Sequence, residues 1–354
     1  MGISFKEKMG QMFIIRMHGK EITDDLIELI RDYHIGGVAL YSCNYDSYEE
    51  MLNIINELKR INSKYNKTPL IISLDQEGGR VNRLPDDFKN IVCAKKLSQD
   101  NKFIEEAGNI IGETLNNIGV NMNFAPVLDI QRFKDDHAIG DRCFGDNKED
   151  VSSKGLIMMK TLKDNNIIPV VKHFPGHGLV KKDSHFFLPM TLKNIKEVED
   201  IEPFKDAINN DCEAIMISHI MVRKLDRLYP ASLSKKVIKY YLIDELKYKG
   251  LIITDDLRMK AVNLLYGYKR SSLKAITAGN DMVLIGAPYK TIKHCFKYIS
   301  KKLNNEIKNN VEKSYKKIIK IKEKYNLSDK ENKKMDIEKI NKRIEKLNKK
   351  IKVD

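Results

Sequence analysis

Ile167-Ile168-Pro169-Val170-Val171-Lys172-His173-Phe174-Pro175-Gly176-His177-Gly178 passes from an apolar run to a cationic and imidazole-bearing segment and then to turn residues. The run from Ile167 to Val171, interrupted by Pro169, predicts a short buried strand, and Pro175, Gly176 and Gly178 predict a loop after it. Asp183-Ser184-His185 follows closely, so three of the chain's 8 histidines fall in one short segment. Histidine titrates nearest neutrality, and clustering of this kind is where chemistry is sought first. The reading puts these histidines at the mouth of a strand rather than in a core.

The same grammar recurs on both sides of this segment. Apolar runs at Gln11–Met17, Gly36–Tyr41, Leu70–Leu74, Asn121–Leu128, Pro169–Val171, Ala214–Ser218, Leu251–Thr254 and Met282–Ile285 predict strands. Amphipathic stretches at Thr23–Tyr33, Tyr48–Ser63, Lys102–Ile118, Lys154–Asn165, Asn194–Asn209, Lys235–Lys247 and Ser271–Ala278 predict helices between them. Continuous apolar strands alternating with helices indicate an α/β fold with a parallel sheet covered on both faces. About eight such units suit a (β/α)8 TIM-type barrel, with a doubly wound open sheet as the competitor. Reactive residues at the strand ends favour the barrel: Asp75, Asp129, Lys172-His173, His219 and Asp255-Asp256 each follow an apolar run directly. In barrels the C-terminal strand ends build the active site.

Composition bounds the remaining possibilities. The chain has 354 residues, 42% of them hydrophobic, and carries a net charge of +14, of which residues 301–354 contribute +10 from 19 Lys+Arg and 9 Asp+Glu. The basicity therefore belongs mainly to the tail. There Ile337, Ile340, Ile344, Leu347 and Ile351 form one apolar stripe at helical spacing, which predicts a helix packed on the barrel rather than a nucleic-acid-binding arm. The expected division is a catalytic domain over 1–326 and a Lys-rich amphipathic helical tail over 327–354. The 5 cysteines never form a Cys-x-x-Cys pair, which fits reduced thiols. No apolar run is long enough for a membrane span, and Met1–Lys8 lacks a secretory apolar region, so a cytoplasmic location is expected.

Three further segments carry potential chemistry: Asp75-Gln76-Glu77-Gly78-Gly79-Arg80-Val81-Asn82-Arg83, Gly140-Asp141-Arg142-Cys143-Phe144-Gly145, and Thr254-Asp255-Asp256-Leu257. With these, the chain resembles glycoside hydrolase family 3, specifically its NagZ-type β-N-acetylglucosaminidases. The matching stretches are DQEGGRVNRL at 75–84, NFAPVLDI at 123–130, IGDRCFG at 139–145, KHFPGHG with DSH across 172–185, PASLS at 230–234, TDDL at 254–257 and AGNDMVLI at 278–285. Seven ordered blocks extend the resemblance to about residue 325.

The resemblance implies a retaining mechanism with Asp255 as nucleophile and Asp256 as its structural neighbour. It implies His185 as acid/base, with Asp183 orienting and polarising its imidazole. Such a pair is chemically coherent: imidazolium protonates the departing oxygen and the neutral ring later takes a proton from water. Sugar binding is implied for Asp75, Arg83, Arg142, Lys172 and His173. Gly176, His177 and Gly178 are expected to shape the loop, Glu77, Arg80 and His219 to buttress strand ends, and Asp129 to play only a capping part. The implied substrate is a small glycan, terminal N-acetylglucosamine on peptidoglycan-derived muropeptides. No cofactor, metal, nucleic acid or membrane partner is expected, and a monomer is favoured. A β-glucosidase or β-xylosidase of the same family, a phosphorylase, and a polymer-binding protein acting through the basic tail are the alternatives.

Overall fold

Leucine, isoleucine and valine on both faces of consecutive short strands leave no solvated side, and such strands are stable only where helices cover a closed or stacked parallel sheet. In the computed structural model, which describes residues 3–133, 138–180 and 189–351, these strands are Phe13–Arg16 (β1), Gly37–Ala39 (β2), Ile71–Leu74 (β3), Met122–Asn123 (β4), Ile168–Phe174 (β5), Ala214–Ile217 (β6), Leu251–Thr254 (β7) and Val283–Ile285 (β8). Each pairs in parallel with the next from β1 to β7, and β8 returns to β1 with Phe13 opposite Val283 and Ile15 opposite Ile285. The remaining seam, β7 to β8, is joined by the Ile253–Met282 bridge, with Thr254 N donating to Met282 O at 3.1 Å. The sheet is thus a nearly closed eight-stranded barrel with helices outside it, and the barrel expectation holds over the open sheet.

All eight predicted strands are present, with shifted limits. The run Asn121–Leu128 forms a regular strand only at Met122–Asn123. Pro126 has no N–H to donate, so beyond β4 the chain follows β5 irregularly, through Val170 N to Ala125 O (3.1 Å) and Leu128 N to Lys172 O (2.7 Å). Conversely, β5 continues past Val171 to Phe174, so Lys172 and His173 lie inside the strand and are buried, at the barrel mouth and in its core together. The helix expected over Asn194–Asn209 is confined to Glu202–Asn209, where Pro203 fits the first turn but would interrupt any longer helix. The last helix before β8 runs from Lys260 rather than Ser271, with a kink at Gly267, whose φ of +63° favours glycine.

The tail helix Ile337–Lys350 buries Ile340, Ile344 and Leu347 in the main core. Lys350 pairs with Glu106 at 2.8 Å and Arg343 with Glu113, both acids on the helix Asn101–Ile118. On its other side Asn341 donates to Asp87 O (2.8 Å) and accepts from Lys89 N (2.7 Å), while Asn348 donates to Asn90 O (2.9 Å). Among the described residues no helix is long and apolar enough to cross a membrane.

At the opposite end of the barrel from the strand C-termini, Lys322 is 3% exposed, and its ammonium donates to Gln11 Oε1 (2.7 Å), Gly36 O (3.0 Å) and Pro69 O (2.6 Å). It ties together the segments that enter β1, β2 and β3. Burial lowers its pKa from 10.5 to about 7, against a smaller opposing pull from Asp329. Between these two values the unfolded chain holds a proton that the folded chain lacks, so this group's contribution to stability rises with pH there and is flat below it. Lys322→Met, which removes the donor shared by three acceptors, is expected to destabilise the fold, and its deficit relative to wild type should widen from pH 7 to 10 in denaturant titrations. A deficit constant across that range would contradict the assignment.

Candidate active site

Asp75 is the first residue beyond β3, and the turn after it is built to bring Arg83 back beside it. Asn123 of β4 grips Gln76 from both sides, accepting from its N–H (2.9 Å) and donating to its carbonyl (2.9 Å). The Gln76 side chain donates to Asn82 (2.8 Å) and accepts from Arg83 N (2.8 Å), closing the loop on itself. Gly79 sits at φ +56° where a Cβ would lie 2.5 Å from Cys93 Cβ, so neither the conformation nor the space admits a side chain. Arg83 ends with Nη2 3.9 Å from Asp75 Oδ2, and its buried Nε has no partner among the described residues.

From β5, Lys172 projects into the same space. Its Nζ lies 2.7 Å from Asp75 Oδ1 and 2.7 Å from Glu77 Oε1. Arg142 clasps Glu77 through two parallel contacts, Nε to Oε2 and Nη2 to Oε1, each 2.8 Å. Burial alone would push the Glu77 carboxyl up, but Arg142 and Lys172 overrule it and hold it well below the usual carboxylate range. Glu77 is therefore an ionised hub between two cations that face the cavity.

His173 is oriented by Asp129, which is fully buried. Asp129 Oδ2 lies 2.6 Å from His173 Nδ1, while Oδ1 accepts from the backbone N–H groups of His173 (3.2 Å) and His177 (2.6 Å). Burial pushes Asp129 up, yet His173 and His177 bring it below its ordinary value. With Nδ1 carrying its hydrogen toward Asp129, Nε2 is the ring nitrogen left for a ligand. Asp129 is thus the anchor of the histidine turn, a larger part than capping.

Asp255 and Asp256 leave the end of β7 in different directions. Asp255 N donates to Ile217 O of β6 at 3.0 Å, which fixes the strand end, and Asp255 Oδ1 accepts from Asp256 N at 2.8 Å. Asp256 turns inward, accepting from the backbone N–H groups of Arg258 (2.9 Å) and Gly286 (2.8 Å). Burial, with a smaller push from Asp255, raises its pKa to about 6. His219 supports the same turn, with Nε2 3.1 Å from Asp256 O and Nδ1 2.7 Å from Ser232 Oγ.

These side chains line one cavity of about 470 Å³ at the C-terminal mouth of the barrel: Asp75, Arg83, Arg142, Lys172, His173 and Asp255 all border it. Asp183 and His185 lie outside the described residues. Arg16, Tyr41 and Arg258 also border the cavity and were absent from the sequence reading. Arg16 ends β1 as Asp75 follows β3, so scanning every strand end for polar groups would have found it. The Tyr41 ring lies against two guanidinium groups, Arg16 at 3.9 Å and Arg83 at 5.7 Å. No group of three or more His, Cys, Asp or Glu among the described residues could hold a metal ion.

The family model described as glycosyl hydrolase family 3 N terminal domain matches residues 4–321. The beta-hexosaminidase of Methylobacillus flagellatus is 31% identical over 277 residues, covering 75% of this chain and 78% of that protein. The beta-hexosaminidase of Photobacterium profundum is 34% identical over 272 residues, covering 75% and 79%. Among solved structures, a glycoside hydrolase family 3 beta-N-acetylglucosaminidase from Paenibacillus sp. str. FPU-7 superposes with a TM-score of 0.89 at 29% identity, covering 99% of this chain and 69% of that one.

Glu77 offers a test of the cavity's electrostatics that is separate from the reacting groups. Glu77→Gln leaves Arg142 and Lys172 sharing one fewer charge in a buried setting, so a loss of about 3 kcal/mol is expected in equilibrium unfolding. A rise in KM beyond the change in kcat should accompany it, because the cations lose their fixed positions. An unfolding free energy within experimental error of wild type would show that Glu77 is not the hub.

Proposed function

Because the chain belongs to glycoside hydrolase family 3, we propose that it is a retaining exo-β-N-acetylglucosaminidase acting on terminal, non-reducing N-acetylglucosamine of peptidoglycan-derived muropeptides. The observation that carries this reading is a carboxylate, Asp255, bordering one pocket of sugar size together with five polar side chains that match hydroxyl and N-acetyl groups. The relatives named above supply the sugar: their names give hexosaminidase and N-acetylglucosaminidase activity.

In the proposed reaction, Asp255 attacks the anomeric carbon as the glycosidic bond breaks, forming a glycosyl ester. The departing oxygen takes a proton from His185 as imidazolium. Water then attacks the same carbon, His185 accepts its proton, and the Asp255 carboxylate leaves. Asp183 orients His185. Asp75 accepts from sugar hydroxyls, and Arg83, Arg142, Lys172 and His173 donate to hydroxyl and acetyl oxygens. Asp256, held by two backbone N–H groups, fixes the turn so that its neighbour borders the cavity.

Two measurements separate the roles. Asp255→Ala should lower turnover of an aryl β-N-acetylglucosaminide by about a thousandfold or more with the fold intact. Near wild-type turnover in a clean preparation refutes the nucleophile. For His185→Ala the penalty should depend on the leaving group: large for a poor one such as an alkyl or sugar alcohol, much smaller for dinitrophenol, which departs without protonation. An equal loss on both substrates would remove His185 from the proton-donating role.

A further inference from the structure

We propose that Arg16 and Arg258 form an anion-binding subsite next to the sugar pocket and select substrates whose leaving-group portion carries a carboxylate or phosphate. The inference rests on the glycosidase reading and adds a specificity determinant to it.

The two arginines come from different parts of the barrel, Arg16 from the end of β1 and Arg258 from the turn after β7, and both border the cavity. They converge at Gly286, beyond the end of β8. A Cβ there would stand 3.1 Å from Arg258 Cδ, 3.2 Å from Arg16 Cδ and 2.8 Å from Asp256 Oδ2. A side chain there would displace Asp256 Oδ2 and crowd both arginines, so the glycine leaves room for the two like-charged groups side by side.

Neither guanidinium forms an ion pair with a carboxylate among the described residues, although Asp256 feels the charge of Arg16. Among the described residues Arg258's side chain forms no hydrogen bond or ion pair, and Arg16 has only the face of Tyr41 and a 3.9 Å contact to Cys43 Sγ. Arg142, Lys172 and Arg80, by contrast, each pair with a carboxylate. Asp256, the acid beside both arginines at Gly286, uses Oδ1 on two backbone N–H groups. Its carboxyl is also pushed toward the neutral form, chiefly by burial. Lys260 also borders the cavity. Tyr41, stacked on Arg16, fixes the direction of that guanidinium without cancelling its charge.

Barrel order gives the subsite its side. The groups assigned to the sugar hydroxyls come from β3, β5 and the loops beside them, whereas Arg16, Arg258 and Gly286 belong to β1, β7 and β8, on the arc that carries Asp255, with Tyr41 standing between Arg16 and Arg83. With the anomeric carbon at Asp255 and the non-reducing hydroxyls at Asp75 and Lys172, what lies beyond Asp255 is the departing group. Two forked guanidiniums at that position match the oxygens of a carboxylate or phosphate.

The test compares 4-carboxyphenyl and 4-carbamoylphenyl β-N-acetylglucosaminide, which differ in charge but hardly in size, on wild type, Arg16→Gln and Arg258→Gln. Arg258 is exposed, so its variant is not expected to disturb folding. The wild-type kcat/KM should favour the carboxylate by about tenfold, the effect of one good charge-assisted contact. That ratio should fall toward unity in either variant and at high salt. A ratio unchanged across the three enzymes overturns the subsite, whereas hydrolysis of neither substrate overturns the glycosidase reading instead. Inorganic phosphate distinguishes the other source of the same charge. Competition with the carboxylated substrate, weakened in Arg258→Gln, supports the subsite; glycosyl phosphate as product, lost in Arg258→Gln, makes the anion a second substrate and overturns the leaving-group assignment.

Discussion

The ammonium of Lys172, 1% exposed and shared between Asp75 and Glu77, is the interaction on which the cavity depends. A buried charge of this kind is tolerable only when its partners are fixed and close. Asp75, Glu77, Lys172 and Arg142 sum to no net charge, and three separate pieces of chain supply them: the turn after β3, β5 itself and the short loop at Gly140–Arg142. Closing the barrel is what brings these pieces together. The network in turn presents fixed, oriented donors and acceptors to the cavity.

Much of this was legible in the chain because barrel strands are short, apolar on both faces and followed directly by their functional residue. The eight runs, Asp75 after Leu74 and Asp255 after Thr254 could all be read on that basis. Limits and anchors were harder. Nothing local indicates that β5 outlasts its apolar run, since that depends on Asp129 of another segment taking the N–H groups of His173 and His177. Asp129 looks like any strand-end acid until its burial is known. The helix from Lys260 was missed over its first half because Leu264 and Leu265, 76% and 60% exposed, break the amphipathic pattern. Arg16 and Tyr41 belong to the same class as Asp75, strand-end polar groups, and were overlooked because no motif singles them out.

The tail also bears on the cavity, through contacts invisible to composition. Its helix holds the segment 87–92 by side-chain amides at Asn341 and Asn348. That segment in turn holds the turn after β3: Gly79 N donates to Ile91 O at 2.7 Å, and Asn90 donates to Gly79 O at 2.6 Å. Further along, Asp329 accepts from Leu70 N at 3.0 Å, where β3 begins. Both ends of the strand and turn that carry Asp75 and Arg83 therefore rest on residues beyond 326. Small asparagine side chains suit this task, since one amide can donate and accept at once across two unrelated backbones.

This arrangement changes what the charge of +14 means. A basic tail invites thoughts of a polyanion, yet Arg343 and Lys350 face Glu113 and Glu106, and Lys334 faces Glu49. Those charges meet acids on the barrel's helices, where an exposed pair adds little energy but does neutralise the surface field. At the cavity mouth, Arg16 and Arg258 border one concave site and form no ion pair with a carboxylate among the described residues, and a cleft lined by one sign of charge concentrates its potential. For the proposed subsite, the position of two arginines beside a missing methyl therefore matters more than the net charge of the C-terminal residues.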